Sequence, residues 1–249
     1  MPVMETDETV GKWRLLDTGT NRAEANMEID RNLLEAMRPG DRPILHLYDW
    51  ERDSVTYGHF IRPERDLKLD ELERRKIDIA KRPTGGGMLF HIGDLTFSVL
   101  VPSGSSHFSL DTFANYRFVN GAVRRAVARF MSGRLDPPFL LGEGQGAPDP
   151  RFCMAKPTPY DVMIRGKKIA GAAQRRKKQG YLHQGSINLA MPDKALLETV
   201  IIEPGPILAK MEAYTLPLLP RGYGSSDLRK ARKKMGYLLW ESFLAEKGR

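Results

Sequence analysis

The chain has 249 residues, a formal net charge of +8, 41% hydrophobic residues and 28% charged residues. This length and composition are typical of a globular protein with a sizeable hydrophobic core. No apolar run approaches the roughly 18 residues of a membrane-spanning helix, and the acidic start of the chain lacks the apolar core of a signal peptide. The single cysteine excludes an intramolecular disulfide and a cysteine-based zinc cluster. We therefore expect a cytoplasmic protein without a membrane partner.

The first half of the chain predicts one helix followed by short strands. Residues 26–37 place Ile29, Leu33, Ala36 and Met37 on one helical face, and Pro39-Gly40 ends the helix. Alternating or apolar runs then predict strands, and a charged stretch between them predicts a helix. The strands are expected at 44–50, 54–57, 77–80 and 95–101, and the helix near 67–76.

The second half predicts a long amphipathic helix, a loop, strands and a final helix. An apolar stripe over 110–131 indicates the first helix, and glycine and proline residues indicate a surface loop at 133–150. A strand pair is expected at 160–164 and 168–174, a further strand at 185–190, and a helix at 227–246 capped by Ser225 or Ser226.

This order of elements indicates an α+β fold, with a mixed sheet and flanking helices, because strands and helices do not alternate regularly. We expect residues 1–12 to form an N-terminal tail. Residues 13–249 are then expected to form a single domain without a separate C-terminal accessory domain.

The first segment with chemical potential is the glycine-rich run at 81–91. Three consecutive glycines, Gly85, Gly86 and Gly87, suit a backbone that approaches a ligand or adopts positive φ. The predicted strand–loop–strand setting excludes a Rossmann or Walker loop, since both need a helix behind the glycines. The backbone amides can form an anion-binding nest, with Arg82 and His91 on its two sides. The alternative is a tight turn without a ligand.

The second segment, at 166–176, carries Lys168 between Gly166 and Gly171 on a predicted strand. A lysine ammonium on a rigid strand can neutralise a carboxylate, stabilise an acyl oxyanion or lower the pKa of a nearby thiol. Gln174 and the polar residues at 183–186 offer further hydrogen-bonding groups. The alternative interpretation of Lys168 is a solvated surface charge.

Cys153 lies just before the second segment, between Arg151 and Lys156. This electropositive setting favours a thiolate, so Cys153 is a candidate nucleophile. The alternative is a small buried hydrophobic residue.

Residues 165–178 contain seven basic residues and no acidic one. This run predicts an acidic partner, either a protein domain or nucleic acid. A solvated basic face without a partner is the alternative.

In order and spacing, these motifs resemble those of the lipoate–protein ligase and octanoyltransferase family, which shares its catalytic fold with the biotin protein ligases. The resemblance is carried by Arg-Pro-Thr-Gly-Gly-Gly at 82–87, Gly-Asp-Leu-Thr-Phe-Ser at 93–98, Gly-Lys-Lys-Ile-Ala-Gly-Ala-Ala-Gln at 166–174 and Gly-Ser-Ile at 185–187. It implies a tunnel for an eight-carbon acyl chain and acyl transfer to a lysine of a lipoyl domain. It also implies that Lys168 holds the activated carbonyl, and that substrate is bound by Arg82, Gly85, Gly86, Gly87, His91, Gly171, Ala172, Gln174 and Gly185.

Two branches of this family are compatible with the chain. Cysteine-dependent octanoyltransferases form a thioester on a cysteine placed as Cys153 is, without a tightly bound cofactor. ATP-dependent lipoate ligases form lipoyl-adenylate without a cysteine and take ATP and Mg²⁺ as co-substrates. Gly87 and His91 resemble the residues found at these positions in that branch. The chain departs from the usual transferase pattern at Gly87, Ala172 and His183-Gln184.

Our preferred hypothesis is that Cys153 takes an acyl group from octanoyl-acyl carrier protein and passes it to a lipoyl domain. The acceptor would be a 2-oxoacid dehydrogenase E2 or a glycine-cleavage H protein. The second hypothesis is an ATP-dependent ligase that uses free lipoate and Lys168. The third hypothesis is a non-catalytic family member that binds lipoate, or that binds nucleic acid through the basic run. Under the preferred hypothesis, no nucleic-acid partner is expected.

Overall fold

The computed structural model describes residues 6–10, 12–133, 136–142, 151–155, 157–220 and 222–246. Within them the strands form two sheets. The strands are β1 (Thr6–Val10), β2 (Trp13–Asn21), β3 (Ile44–Trp50), β4 (Ser54–Tyr57), β5 (Asp78–Lys81), β6 (Met88–His91), β7 (Asp94–Pro102), β8 (Phe139–Leu140), β9 (Val162–Ile164), β10 (Lys167–Lys177) and β11 (Gly180–Asn188).

The larger sheet has the strand order β1-β2-β3-β7-β11-β10-β9-β8, and the smaller sheet has the order β5-β4-β6. In the larger sheet β2 runs parallel to β3, and the other neighbouring strands are antiparallel. In the smaller sheet β4 is parallel to β5 and antiparallel to β6. Both sheets are therefore mixed, as the sequence predicted.

Two long helices cover one face of the larger sheet. Val119, Val123 and Val127 of α3 (Thr112–Met131) are fully buried in the main core, together with Val99 of β7 and Leu239 of α6 (Ser225–Leu244). The predicted apolar stripe on α3 is confirmed at these positions, because residues three and four apart share one helical face. The helices are α1 (Ala23–Ala36), α2 (Leu69–Arg74), α3 (Thr112–Met131), α4 (Lys194–Val200), α5 (Pro204–Tyr214) and α6 (Ser225–Leu244).

The opposite face of the larger sheet packs against α1 and the smaller sheet. Leu100 of β7 contacts the α1 side through Leu34 in a separate apolar cluster. Side chains two residues apart on a strand point to the same face, so Ser98 also faces α1, and its hydroxyl donates to Asp30 at 2.6 Å. The polar residues between the two sheets shape the site described below.

Several predicted boundaries change in the structure. Strands 44–50 and 54–57 are confirmed, whereas the predicted helix near 67–76 is reduced to the short α2. The cap predicted at Ser225 or Ser226 is wrong: both residues are helical, Gly224 is the N-cap, and its amide donates to Asp227 at 2.9 Å. The predicted loop at 133–150 contains β8, and its residues 134–135 and 143–150 lie outside the described part.

The expected N-terminal tail also differs from the structure. Thr6–Val10 pairs antiparallel with β2, from Thr6 opposite Asp17 to Val10 opposite Trp13. An edge strand is held by backbone hydrogen bonds, which need no apolar side-chain pattern. A charged segment can therefore form an edge strand that the sequence pattern does not indicate. In the part of the chain that the structure describes, no helix combines the length and apolar character needed to cross a membrane.

Candidate active site

A cavity of about 340 Å³ lies between the two sheets. One side of it is apolar and includes Met27, Phe60, Leu89, Phe152 and Met154. A concave, mostly apolar pocket with a few convergent polar groups is typical of a small-molecule site. Most of the predicted site residues line it: Arg82, Gly86, Gly87, His91, Cys153, Lys168, Gly171, Ala172 and Gly185.

The glycine-rich segment forms the loop between β5 and β6. This confirms the predicted strand–loop–strand setting. The strand that follows the loop is β6, whereas the sequence predicted the strand at 95–101 in that place. Gly86 has φ +88°, a backbone conformation that favours glycine. Within the described residues, the amide N–H groups of Gly85, Gly86 and Gly87 have no hydrogen-bond partner. These donors can therefore bind an anion or a polarised carbonyl oxygen.

Arg82 holds this loop in shape and brings a buried positive charge to the cavity. Its guanidinium donates to the carbonyl oxygens of Gly85 at 3.0 Å and Gly87 at 2.7 Å, and to Thr56 Oγ1 at 2.7 Å. The residue is only 6% exposed, and among the described residues no carboxylate contacts it directly. Because a buried charge without a counter-ion is costly, this cation favours an anionic group in the cavity.

Cys153 lies beside the same loop. It begins a short 3₁₀ helix, Cys153–Ala155, and its side chain is partly exposed. A Cβ atom placed on Gly86 would lie 3.7 Å from Cys153 Sγ and 3.2 Å from the Arg82 guanidinium. The thiol and the guanidinium therefore flank the same point of the glycine loop, which is the arrangement expected for a nucleophile beside an oxyanion cradle.

Lys168 brings a second cation to this point. Its Nζ atom lies 2.8 Å from Asp161 Oδ2 and donates to the Cys153 carbonyl oxygen at 3.2 Å. The register of β10 against β9 shifts between Lys168 and Ala170. A Cβ on Gly171 would lie 2.3 Å from Lys168 Cε and 2.4 Å from its Nζ. The missing side chain at Gly171 thus allows the lysine to lie across its own strand, which explains the spacing of this motif.

The substitution Gly171→Ala is expected to displace Lys168 and to slow acyl transfer roughly 10- to 100-fold, since small displacements of catalytic groups cost this much. Folding should be retained, because Ala170 and Ala172 already occupy β10. The matched control is Gly166→Ala, where no atom lies within 4 Å of the added Cβ, although its φ of +74° adds backbone strain. Equal transfer rates for wild type and Gly171→Ala would contradict the geometric role of Gly171.

His91 lies behind Arg82 in a buried hydrogen-bond chain. Its Nε2 lies 2.7 Å from Thr56 Oγ1, and its Nδ1 lies 2.8 Å from Asp94 Oδ2. Thr56 Oγ1 also accepts from Arg82, so this one hydroxyl links the Arg82 guanidinium to the His91 ring. Burial by itself would raise the pKa of Asp94, but the His91 charge and hydrogen bond outweigh it and lower that pKa. His91 therefore supports Arg82 through Thr56.

The structure places Gln174 away from the cavity, contrary to the expectation that it binds substrate. Its amide Nε2 lies 2.8 Å from His183 Nδ1, and His183 packs against Tyr116 of α3. Burial lowers the pKa of His183 to about 3, so it is neutral at physiological pH. Because side chains alternate along β10 and β11, Gln174 shares the α3 face with His183. Gly85 also lies outside the cavity wall and shapes the loop through its carbonyl group.

Two residues of the site were not predicted. Gln184 accepts a hydrogen bond from Thr84 of the glycine loop at 2.6 Å and donates to Asp30 at 2.7 Å, and it lines the cavity. Asp161 pairs with Lys168. The sequence offers Gln184 only as one of the polar residues at 183–186, and neither Gln184 nor Asp161 is predicted as a site residue. In the described residues, no three His, Cys, Asp or Glu side chains come together as metal ligands.

Residues 22–206 match the family described as lipoyl protein ligase A/B catalytic domain. The chain belongs to this family. The chain is 30% identical to an octanoyltransferase LipM from Exiguobacterium sp. over 190 residues, which cover 75% of the chain and 69% of the relative. It is also 30% identical to an octanoyltransferase LipM from Kyrpidia tusciae over 190 residues, covering 74% and 68% of the two chains.

Solved structures of this kind share the fold. A T. acidophilum protein with bound lipoic acid superposes with a TM-score of 0.67 at 26% identity, covering 95% of this chain and 87% of that one. A lipoate-protein ligase A bound with ATP gives a TM-score of 0.64 at 26% identity, covering 96% of each chain. These findings confirm the predicted α+β fold and the predicted resemblance. A member of the lipoyl protein ligase A/B catalytic domain family is an enzyme of the acyltransferase or lipoate–protein ligase type.

Proposed function

We propose that this protein carries an octanoyl or lipoyl group as a thioester on Cys153 and transfers it to a lysine of a lipoyl domain. The observation that supports this most directly is that Cys153 Sγ and the Arg82 guanidinium both lie close to Gly86. The relatives named octanoyltransferase favour octanoyl over lipoyl. The cavity beside the thiol offers an apolar wall for the acyl chain.

In the first step, the Cys153 sulfur attacks the carbonyl carbon of octanoyl-acyl carrier protein. A new carbon–sulfur bond forms, the bond to the carrier sulfur breaks, and the carrier thiol leaves with the proton of Cys153. The carbonyl oxygen becomes negative in the intermediate. The Lys168 ammonium and the free amides of the glycine loop stabilise that oxygen.

In the second step, the amine of the acceptor lysine attacks the thioester carbon. An amide bond forms, the carbon–sulfur bond breaks, and Cys153 leaves as a thiolate that recovers a proton from the attacking amine. The same donors hold the oxyanion in both steps. Neither step consumes ATP.

The test of this proposal is transfer from octanoyl-acyl carrier protein to an apo lipoyl domain in a buffer without ATP. Octanoylation of the lipoyl domain, followed by mass spectrometry, supports the proposal. Transfer that requires ATP and free acid would overturn it.

ATP-dependent ligation is the second candidate, and two observations favour it. The fold superposes on a lipoate-protein ligase A bound with ATP. The buried Arg82, which contacts no carboxylate in the described part of the chain, suits a phosphate as well as a carbonyl oxygen. In this reading ATP and Mg²⁺ are co-substrates, Lys168 holds the acyl-adenylate, and Cys153 is dispensable. Release of pyrophosphate that depends on lipoate would support it.

We place the docking surface for the acceptor domain at the far end of β10 and the start of α3. The Arg175 and Arg176 guanidinium groups donate to the carbonyl oxygens of Pro83 and Leu110, so within the described residues no carboxylate neutralises them. Leu110 is 79% exposed and Phe113 is 47% exposed. Arginine and exposed apolar side chains together suit an acidic protein partner. Pro83 belongs to the glycine loop, so this surface lies beside the site.

The substitution Arg176→Glu is expected to raise the KM for the acceptor domain several-fold, because a repulsive charge at an interface weakens encounter with an acidic partner. The rate of acyl-enzyme formation on Cys153 should stay at the wild-type value. Lys230→Glu serves as the control, since it makes the same charge change at an exposed position of α6. An unchanged KM, measured at low and high salt, would place the docking surface elsewhere.

A further inference from the structure

Asp161 is a buried carboxylate that holds Lys168 at the site. The residue is 1% exposed, and its Oδ2 atom lies 2.8 Å from Lys168 Nζ. The same oxygen accepts hydrogen bonds from the Thr158 backbone amide at 2.6 Å and from the Thr158 hydroxyl at 2.9 Å. The carboxylate is thereby fixed by two neutral donors, and the ammonium is fixed by the carboxylate.

The backbone is strained at Tyr160, the residue directly before this carboxylate. Tyr160, directly before Asp161, has φ 67°, which is uncommon for a residue with a side chain. Asn120 of α3 donates to the Tyr160 carbonyl oxygen at 2.9 Å. Tyr160 N donates to the Leu141 carbonyl oxygen at 2.8 Å, and Leu141 N donates to the Asp161 carbonyl oxygen at 3.0 Å. Strained residues persist where surrounding contacts over-determine them, and such residues cluster at functional sites.

A second set of contacts fixes the tyrosine side chain. The Arg117 guanidinium of α3 donates to the Tyr160 hydroxyl at 2.9 Å and lies 5.3 Å from the centre of its ring. The Phe113 ring, one turn earlier on α3, lies 5.7 Å from the Tyr160 ring, measured between ring centres. The position of Asp161 is therefore set by α3, by the segment after β8 and by Thr158.

We propose that Asp161 is a positioning residue that keeps the Lys168 ammonium charged and directed at the carbonyl of the group on Cys153. The proposal rests on the proposed function, because it assumes that Lys168 stabilises the acyl oxyanion. A lysine side chain has several rotatable bonds and loses its orientation without a fixed partner. Removing one member of a buried ion pair also leaves the other charge uncompensated.

The pH dependence of the enzyme offers a direct readout. Burial raises the pKa of Asp161 above its ordinary value, and Lys168 and Thr158 offset part of that increase. The titratable groups facing this carboxylate are Lys168 on β10, Cys153 on the 3₁₀ helix and Tyr116 on α3. Burial, with Asp161 and Cys153 adding to it, raises the pKa of Tyr116 to about 12, so Tyr116 stays neutral in this range.

The sign of the effect follows from the raised pKa. The Asp161 carboxylate is ionised and paired at neutral pH, and the pairing is lost as the pH falls through the raised value. The rate of acyl-enzyme formation should therefore decline on acidification at a pH above the ordinary carboxyl range. Protonation of the Cys153 thiolate also lowers the rate on acidification, so Asp161 contributes a separate inflection, which should be absent when the carboxyl group is absent.

The experiment measures single-turnover formation of acyl-Cys153 by intact mass, from octanoyl-acyl carrier protein, between acidic and neutral pH. Asp161→Asn keeps the shape of the side chain and still accepts from Thr158. We expect its rate at neutral pH to fall at least about tenfold and the Asp161 inflection to disappear from its pH profile. Its melting temperature should fall, because the buried Lys168 charge is left uncompensated. Asp136→Asn is the matched control, since it breaks an exposed ion pair with Arg165 at 2.7 Å and should change neither the rate nor the profile.

Thr158→Val provides a second variant in case Asp161→Asn does not fold. It removes one donor to the carboxylate and leaves the ion pair, so the Asp161 inflection should move to higher pH. A wild-type rate and a wild-type pH profile in both variants would overturn the proposal. A wild-type enzyme that forms no acyl-Cys153 would instead overturn the proposed function, which the same experiment detects separately.

Discussion

Replacement of Cys153 by alanine is expected to abolish acyl transfer from octanoyl-acyl carrier protein, lowering the rate by at least about 1,000-fold. The thiol is the group that would form the covalent intermediate, and it is the only cysteine in the chain. Without it, the Arg82 and Lys168 cations can still bind the acyl group but have no nucleophile beside them. Transfer to an apo lipoyl domain, measured by mass spectrometry, checks this expectation.

The control for this substitution is Cys153→Ser, which retains the shape and a weaker nucleophile. It should form a slow oxygen ester or none, while melting at the wild-type temperature. Both variants should also lose alkylation by iodoacetamide, since wild type offers a single reactive thiol. Full transfer activity in Cys153→Ala would contradict the thioester mechanism and favour ligation through Lys168.

Substitution of Arg82 by glutamine is expected to have the second largest effect, a fall in kcat/KM of roughly 100- to 1,000-fold. Arg82 contributes in two ways, because its guanidinium braces the loop through Gly85 and Gly87 and presents a buried cation to the cavity. Glutamine cannot supply the charge, and it cannot satisfy both carbonyl groups and Thr56 together. Loss of these hydrogen bonds to buried groups should also lower stability by about 1–3 kcal/mol.

The two contributions of Arg82 can be separated experimentally. Arg82→Lys keeps the charge but replaces the planar fork, so it should recover part of the affinity for the acyl donor and little of the loop stability. Arg65→Gln, an exposed position after β4, is the control for a general loss of positive charge. Steady-state kinetics and thermal unfolding measure the two quantities independently. A wild-type kcat/KM in Arg82→Gln would contradict a role for the Arg82 cation in the site.

The comparison of sequence and structure shows which features can be predicted from local pattern. The strands at 44–50 and 54–57 and the core face of α3 follow from apolar periodicity, so they were predicted closely. The strand β2 was missed because most of its residues are partly exposed and do not alternate. The edge strand Thr6–Val10 follows no apolar pattern in the sequence, and its pairing with β2 is visible only in the structure.

The glycine loop, Cys153 and Lys168 form compact motifs in the sequence, and the structure brings them to the same cavity. Gln174 was expected to bind substrate, but it lies beside His183 on the α3 face, and Gln184, one residue after His183, lines the cavity instead. A one-residue difference in position moves a strand side chain to the other face of the sheet, and the sequence does not state which face holds the cavity. Asp161 is not predicted as a site residue, because its contact with Lys168 depends on tertiary contacts around Tyr160 and Thr158.

The most direct test is the intact mass of the wild-type protein after incubation with octanoyl-acyl carrier protein in the absence of ATP. We predict one octanoyl adduct on Cys153, removed by hydroxylamine and by the acceptor domain, and absent from Cys153→Ala. An unmodified protein under these conditions, together with lipoyl-adenylate formed from ATP and lipoate, would contradict the thioester mechanism.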